Sequence, residues 1–274
     1  MGVADAISFR LRILSYVIIF LKQGRYTALV LEKTNCSFES PNFKLIMEKI
    51  SISNIVEFRR KSPKSQITFI NNLNNPKPKS NPGEGGDYWV HSLSTISSVF
   101  KSEKTELLQE KTETLKEKYA SSDAKISKDM FQRNIKILSG FEDFRFLRFK
   151  PNVKLTYLSK PKDKSILSIK GIPIQVLPQH VFMFEEKDTK KIGAVWFVAK
   201  LGGFEKEELS IFCDALYRYL KFNYSKEFEV DMNYCVAIDT VNLNTLRYAK
   251  IIEKGFISPL NTTIDLIKKI LKVR

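Results

Sequence analysis

The chain has 274 residues, 43% of them hydrophobic and 27% charged, and this composition argues against an intrinsically disordered protein. Its formal net charge is +15, a value that favours polyanionic partners such as nucleic acid. Because 34 of the 45 basic residues are lysines, a merely solvated basic surface stays open as an alternative. Three cysteines without metal-ligand spacing, Cys36, Cys213 and Cys235, argue against a disulfide framework and a zinc site, and fit a reducing compartment.

Residues 1–70 are predicted to form an N-terminal α/β portion. The apolar run Ile13 to Leu21 is far shorter than the roughly 20 residues of a membrane span. It also lacks a signal-peptide cleavage pattern, so we expect a cytoplasmic protein without a membrane partner. The predicted elements are a helix over Ile7 to Leu21, a strand over Tyr26 to Leu31, a helix over Lys44 to Ile50, and strands over Ile52 to Phe58 and Gln66 to Ile70.

A loop or linker over residues 71–87 is predicted next. Its core, Asn71 to Gly86, holds three prolines and three glycines in sixteen residues, which cannot continue a helix or a central strand.

Residues 88–274 are predicted to form the main domain, an α/β core with a mixed β-sheet flanked by helices. The strongest helix is Glu205 to Phe222, because its apolar residues recur at helical spacing on one face and three glutamates occupy its first turn. The other helices are Leu93 to Phe100, Lys104 to Tyr119, Lys128 to Ser139 and Thr263 to Leu271. The strands are Phe144 to Phe149, Lys154 to Leu158, Ser165 to Ile169, Ile172 to Leu177, Phe182 to Phe184, Ile192 to Lys200, Tyr234 to Val241 and Leu246 to Ile251.

A β-hairpin is predicted around the charged turn that separates Phe182 to Phe184 from Ile192 to Lys200. We expect one sheet to contain this hairpin, Ile172 to Leu177 and Tyr234 to Val241, with helix 205–222 packed on it. The order helix, strands, hairpin, helix, strand from about 128 to 241 resembles the core of restriction-endonuclease-like folds of the PD-(D/E)XK type. The segments Lys170-Gly171-Ile172-Pro173 and Ile192-Gly193-Ala194 add to the likeness.

The resemblance implies an acid on the first hairpin strand, an acid-x-lysine triplet on the second, and bound Mg²⁺ or Mn²⁺. The metal in such a site activates water and stabilises the departing phosphate oxygen. Here the first acid position falls at Gln179 or His180, and Val195 to Lys200 contains no acid. Only Lys200 matches in type.

The catalytic candidates are therefore His180, Glu185, Lys200 and Asp239. His180 lies at the expected position of the first acid, although a partly buried, hydrogen-bonded histidine is the simpler interpretation. Glu185 begins an acid-x-lysine triplet in the charged turn, where an ordinary solvated turn is the alternative. Asp239 closes an apolar strand, the position where ligands bind in open α/β sheets, but it could equally cap the following turn. No metal ligands can be assigned from these residues, and no other cofactor is expected.

Aromatic and basic residues alternate in Phe144-Arg145-Phe146-Leu147-Arg148-Phe149-Lys150, with Lys154 close behind. This pattern suits nucleic acid, with Arg145, Arg148, Lys150 and Lys154 as the binding candidates. It is equally typical of a half-buried strand. The sequence thus predicts a protein associated with DNA or RNA on a nuclease-like scaffold, either catalytically degenerate or with an unorthodox metal site. The alternative is a non-catalytic interaction subunit of a larger protein complex.

Overall fold

A computed structural model describes residues 17–22, 25–30, 49–75, 88–159, 165–255 and 257–272. The chain divides into two compact units, residues 1–45 and 46–274. Residues 49–70, predicted to belong to an N-terminal portion, and residues 71–75 of the predicted loop thus belong to the larger unit.

The smaller unit contains an antiparallel pair of strands, β1 (Val17–Lys22) and β2 (Arg25–Val30), in which Val17 pairs with Val30 and Lys22 with Arg25. The strand predicted over Tyr26 to Leu31 is confirmed. The helix predicted over Ile7 to Leu21 is wrong over residues 17–21, where β-branched and aromatic residues favour a strand. Its first part, and most of the helix predicted over Lys44 to Ile50, lie outside the described residues.

The larger unit contains both helices and strands throughout its length. In chain order they are β3 (Ile50–Ser51), α1 (Ile52–Arg59), α2 (Pro63–Asn74), α3 (Val90–Ser102), α4 (Glu106–Ser121), α5 (Lys125–Gly140), a 3₁₀ helix (Phe146–Phe149), β4 (Thr156–Leu158), β5 (Ile166–Ile169), β6 (Ile172–Gln175), β7 (His180–Glu186), β8 (Thr189–Val198), α6 (Lys206–Tyr224), β9 (Glu229–Asp239), β10 (Thr245–Arg247), α7 (Tyr248–Glu253) and α8 (Leu260–Lys272). No helix in these described segments is long and apolar enough to cross a membrane.

A five-stranded mixed sheet in the order β10-β9-β8-β7-β4 forms the centre of the larger unit. β7 and β8 are the predicted hairpin, and α6 connects β8 to β9, which lies parallel to β8. The remaining neighbours are antiparallel. The predicted mixed sheet flanked by helices is therefore confirmed.

Helices cover both faces of this sheet, and the alternation of side chains along β8 divides the core in two. Trp196 and Val198 pack into a cluster with residues of α1, α6 and α8. Val195 and Phe197 pack on the opposite face with residues of α3, α4 and α5. Because both faces are buried, the second half of β8 is continuously apolar, as expected for a central strand.

A separate three-stranded sheet has the order β3-β6-β5, with β3 parallel to β6 and β5 antiparallel to it. The predicted strand over Ile172 to Leu177 exists, but its place in the central sheet was wrong. The edge position beside β7 is instead occupied by β4.

Two further strand predictions were wrong, because Ile52 to Phe58 and Gln66 to Ile70 lie in α1 and α2. The hydroxyl of Ser51 accepts a hydrogen bond from the backbone N–H of Asn54 at 3.1 Å and caps α1. Pro63 occupies the first turn of α2, where its missing N–H costs nothing. Since α2 ends at Asn74, the predicted loop begins at least four residues too early, and residues 76–87 of it lie outside the described part of the chain.

The other predicted helices are confirmed with small shifts of their ends. The strand predicted over Leu246 to Ile251 is correct only at its start, because α7 begins at Tyr248. Cys213 and Cys235 are free and buried, as their apolar settings predict.

Candidate functional site

His180 begins β7 and is partly buried. Its Nε2 atom lies 2.8 Å from both the hydroxyl and the carbonyl oxygen of Ser97 on α3. The imidazole stacks on Phe100, with ring centroids 5.6 Å apart and planes within 16°. Tyr157 meets it edge-on at 5.3 Å. These contacts agree with the alternative interpretation of His180 as a partly buried, hydrogen-bonded histidine.

Gln179 is the other residue at the expected first acid position, and its side chain forms hydrogen bonds to the backbone of β8. Its side-chain carbonyl accepts a hydrogen bond from the N–H of Phe197 at 2.7 Å, and its amide donates to the carbonyl of Phe197 at 3.0 Å. Both polar ends of this side chain are thereby used within the sheet.

Glu185 lies near the turn of the β7–β8 hairpin, opposite Lys190, and is exposed. It comes five positions after His180 along β7, which corresponds to a distance of about 17 Å. The neighbouring Glu186 pairs with Lys191 at 2.6 Å, and this hydrogen bond lowers the pKa of its carboxyl. Glu185 therefore lies at the opposite end of the hairpin from Lys200.

Asp239, at the end of β9, is fully buried. Its carboxylate accepts three backbone hydrogen bonds, from the N–H groups of Phe204 (3.0 Å), Val241 (3.1 Å) and Asn242 (3.2 Å). Burial raises the pKa of Asp239, and these backbone donors act in the opposite direction. The carboxylate thus holds the turn after β9 against the segment that leads into α6.

Lys200 follows β8 and lines a cavity of about 370 Å³ at the carboxyl end of that strand. Its Nζ lies 3.9 Å from Glu57 Oε2 on α1, and burial lowers the pKa of its ammonium. The other lining residues are Ser53, Tyr88, Trp89, Arg133, Ala199, Leu201 and Phe204.

The four catalytic candidates therefore do not converge on one site. Lys200 and Asp239 share one end of the sheet, His180 packs under α3, and Glu185 lies beyond the other end. Among the residues that the structure describes, no three His, Cys, Asp or Glu side chains lie close enough together to hold a metal ion. These residues do not fit the Mg²⁺ or Mn²⁺ centre implied by the resemblance, which needs several hard oxygen ligands.

The aromatic-basic segment folds differently from the predicted strand, since Phe146–Phe149 is a 3₁₀ helix. Phe146 and Phe149 are buried, and Phe144 stacks on Phe149 with planes within 9°. The aromatic side chains therefore belong to the core. Arg145, Arg148 and Lys154 point outward and are exposed.

Lys150 differs from the other three nucleic-acid candidates because it is only 7% exposed. Its ammonium pairs with Glu103 at 2.7 Å and lies 4.9 Å from the ring centre of Phe100. These contacts indicate a structural role for Lys150.

Two grooves flank the 3₁₀ helix. One, of about 320 Å³, is lined by Arg145 and Arg148 together with Asp143, Phe144 and Leu243. The other, of about 730 Å³, is lined by Lys101, Lys154, Leu147, Tyr157 and the Lys150–Glu103 pair. We call the exposed cations of the two grooves, Lys101, Arg145, Arg148 and Lys154, the basic surface.

Some residues of the basic surface and of the cavity at the end of β8 were not predicted from the sequence. Lys101 lies on α3, more than forty residues before the aromatic-basic segment. Glu57, Tyr88 and Arg133 come from three distant parts of the chain and meet only at the carboxyl end of β8. Sequence spacing does not predict that either set of residues lies close together in the fold. Comparison with models of protein families, with curated proteins and with solved structures found no match for this chain.

Proposed function

We propose that this protein binds nucleic acid through the basic surface and does not cleave it. The observation that carries the proposal is the placement of four exposed cations, Lys101, Arg145, Arg148 and Lys154, along two grooves that share one 3₁₀ helix. Within the described residues, none of these four side chains forms an ion pair.

Cations without carboxylate partners are available to phosphates, and their contacts release the counterions that surround a nucleic acid. The chain's charge of +15 adds a long-range attraction for any polyanion. Because Phe146 and Phe149 are buried and Phe144 is partly buried against them, we expect binding through the backbone of DNA or RNA rather than through stacking on these rings.

The restriction-endonuclease-like scaffold is part of the proposal. From α5 to β9, the α-helices and strands that belong to the central sheet or pack on it follow the order α5, β4, β7, β8, α6, β9, which is helix, three strands, helix, strand. β5 and β6 form a hairpin inserted between β4 and β7. This order supports the resemblance, while the dispersed positions of His180, Glu185, Lys200 and Asp239 support a degenerate centre.

One observation favours the alternative of an interaction subunit. Leu147 is 67% exposed and Val153 is 44% exposed, and both line the larger groove. Exposed apolar side chains beside a groove are typical of protein-binding surfaces. Binding to a protein through these side chains would depend weakly on salt, in contrast to binding to phosphates.

The proposal is tested with fluorescent single- and double-stranded oligonucleotides at low salt. The wild type is compared with Arg145→Glu/Arg148→Glu and with Lys226→Glu/Lys254→Glu, which makes the same change in net charge at exposed positions outside both grooves. We expect at least a tenfold loss of affinity, about 1.4 kcal/mol, in the first variant only. Equal losses in both variants, or no binding by the folded wild type, would contradict the proposal and favour the interaction subunit.

Cleavage is tested in the same samples by adding Mg²⁺ or Mn²⁺. We expect the oligonucleotides to stay intact, because the described residues bring too few carboxylates together to hold either ion. Metal-dependent cleavage that disappears in Glu185→Ala would overturn the non-catalytic part of the proposal and restore the hairpin as a catalytic centre.

A further inference from the structure

The cavity at the carboxyl end of β8 has the features of a small-molecule site. Its volume of about 370 Å³ lies within the usual range for ligand pockets, about 300–1,000 Å³. It lies beyond the end of the parallel strand pair β8–β9, where α/β proteins commonly bind ligands. α1 comes from one face of the sheet and α5 from the other, so both helical layers contribute lining residues.

Two cations line this cavity. The guanidinium of Arg133 donates a hydrogen bond to the hydroxyl of Tyr88 at 2.6 Å and lies 5.5 Å from the centre of the same ring. These contacts orient Arg133 without neutralising its charge. Lys200 is the second cation, and its one ion pair in the described part of the chain is with Glu57, at 3.9 Å.

Glu57 neutralises little of this charge, because it is already engaged elsewhere. Its Oε1 lies 3.0 Å from the ammonium of Lys61, four residues later and just beyond the end of α1. Arg60, which also lies near this end of the sheet, is taken by Glu208, with both carboxylate oxygens at 2.5 Å from its nitrogens. Two formal positive charges, on Arg133 and Lys200, are therefore left for a ligand.

Glu57 and Ser53 also line the cavity, and the rest of the lining is apolar or aromatic and comes from Tyr88, Trp89, Ala199, Leu201 and Phe204. Trp89 lies edge-on to Tyr88, with centroids 4.8 Å apart, and both rings are only half-buried. A ligand that suits this lining has a planar ring for the aromatic wall and a doubly charged anionic group for the two cations. Phosphate monoesters carry about that charge at neutral pH.

We propose that this cavity binds a phosphorylated aromatic small molecule of the size of a nucleoside monophosphate. Arg133 and Lys200 bind the phosphate, and Tyr88 and Trp89 contact the planar ring. This proposed site is separate from the basic surface, since the cavity is not lined by Lys101, Arg145, Arg148 or Lys154.

Isothermal titration calorimetry with adenosine 5′-monophosphate, adenosine and inorganic phosphate tests the proposal. We expect the monophosphate to bind at least tenfold more tightly than either fragment. Lys200→Met and Arg133→Met should each weaken it at least tenfold, whereas Lys226→Met, an exposed lysine outside the cavity, should leave it unchanged. Arg133→Met also removes the hydrogen bond from Arg133 to Tyr88, which is a structural contact. Lys200→Met removes no such bond among the described contacts, so it tests the site even if Arg133→Met does not fold.

Tryptophan fluorescence supplies a second readout. Trp196 is buried in the core, so quenching by the monophosphate should disappear in Trp89→Phe. Absence of monophosphate binding to the folded wild type, equal affinity for adenosine, or unchanged affinity in Lys200→Met would each overturn the proposal. Failure of oligonucleotide binding with retained monophosphate binding would contradict the proposed function alone, and Arg145→Glu/Arg148→Glu should leave monophosphate binding unchanged.

Discussion

Asp239 shows how one buried side chain can look like a catalytic acid and yet be structural. Its two oxygens accept hydrogen bonds from three backbone N–H groups. The neighbouring Gly203 has φ of +72°, and a Cβ there would come within 2.5 Å of an Asp239 oxygen. The acid and the glycine thus fix the turn together, and a side chain at residue 203 would disrupt it.

We predict that Asp239→Ala lowers the free energy of unfolding by about 3 kcal/mol, because one buried and two partly buried backbone N–H groups lose their acceptor. Urea unfolding followed by circular dichroism measures the change. Asp123→Ala, at an exposed position between α4 and α5, is the control and should change stability by less than about 0.5 kcal/mol. A stable Asp239→Ala protein would show that the carboxylate is not needed for the turn, and would make it available for chemistry again.

Cys213 and Cys235 lie in the core between α6 and β9, and neither is expected to react with thiol reagents in the folded protein. Burial raises the pKa of the Cys213 thiol to about 12 and raises that of Cys235 as well, so neither forms the reactive thiolate at pH 8. Iodoacetamide labelling at pH 8, followed by peptide mass spectrometry, should find both unmodified in the folded protein and both modified in guanidinium. Rapid labelling of either under native conditions would mean that this core opens readily.

At the scale of elements, the capping of α1 gives a direct test of a segment that the sequence analysis assigned to a strand. The Ser51 hydroxyl accepts a hydrogen bond from Asn54 N–H, whereas the Ser62 hydroxyl, at the equivalent position of α2, bonds only to the side chain of Ser65 and caps no backbone N–H. We predict that Ser51→Ala costs about 1 kcal/mol of unfolding free energy and that Ser62→Ala costs clearly less. Thermal unfolding of the two variants makes the comparison. Equal costs would mean that the cap does not stabilise α1.

The elements that sequence reasoning found are those with a long, regular pattern. α6 has 19 residues with one apolar face, and the hairpin has a charged turn between two apolar runs, so both were predictable. Ile52–Arg59 is a short apolar run in which β-branched residues suggested a strand. Its buried residues Ile52, Ile55, Val56 and Phe58 follow helical spacing, and the cap at Ser51 completes the signal.

The candidate site was less predictable because its parts are distant in the chain. The exposure of Arg145 and Arg148 was predictable from their alternation with aromatic residues, although the 3₁₀ geometry was not. Lys150 has the same charge as its neighbours, but tertiary packing buries it against Phe100 and Glu103. No local pattern distinguishes a buried lysine from an exposed one within such a segment.

At the scale of the whole molecule, the affinity for nucleic acid depends either on the total charge or on contacts at one surface. A net charge of +15 attracts polyanions from any direction, but bound counterions are released only where cations contact phosphates. The two proposed regions have no lining residue in common. The basic surface belongs to the layer of α3 and the 3₁₀ helix, whereas the cavity lies at the carboxyl end of β8.

We predict that the logarithm of the nucleic-acid affinity falls linearly with the logarithm of salt concentration, with a slope of about −3 to −4 for four phosphate contacts. Arg145→Glu/Arg148→Glu should reduce the size of this slope by about half, because two of the four contacting cations are lost. Lys226→Glu/Lys254→Glu should keep the wild-type slope, since it alters the long-range field and no contact. Fluorescence anisotropy titrations at salt concentrations from about 50 to about 200 mM measure all three slopes. If the two variants had the same slope, the total charge alone would account for binding, and the basic surface would have no special part in it.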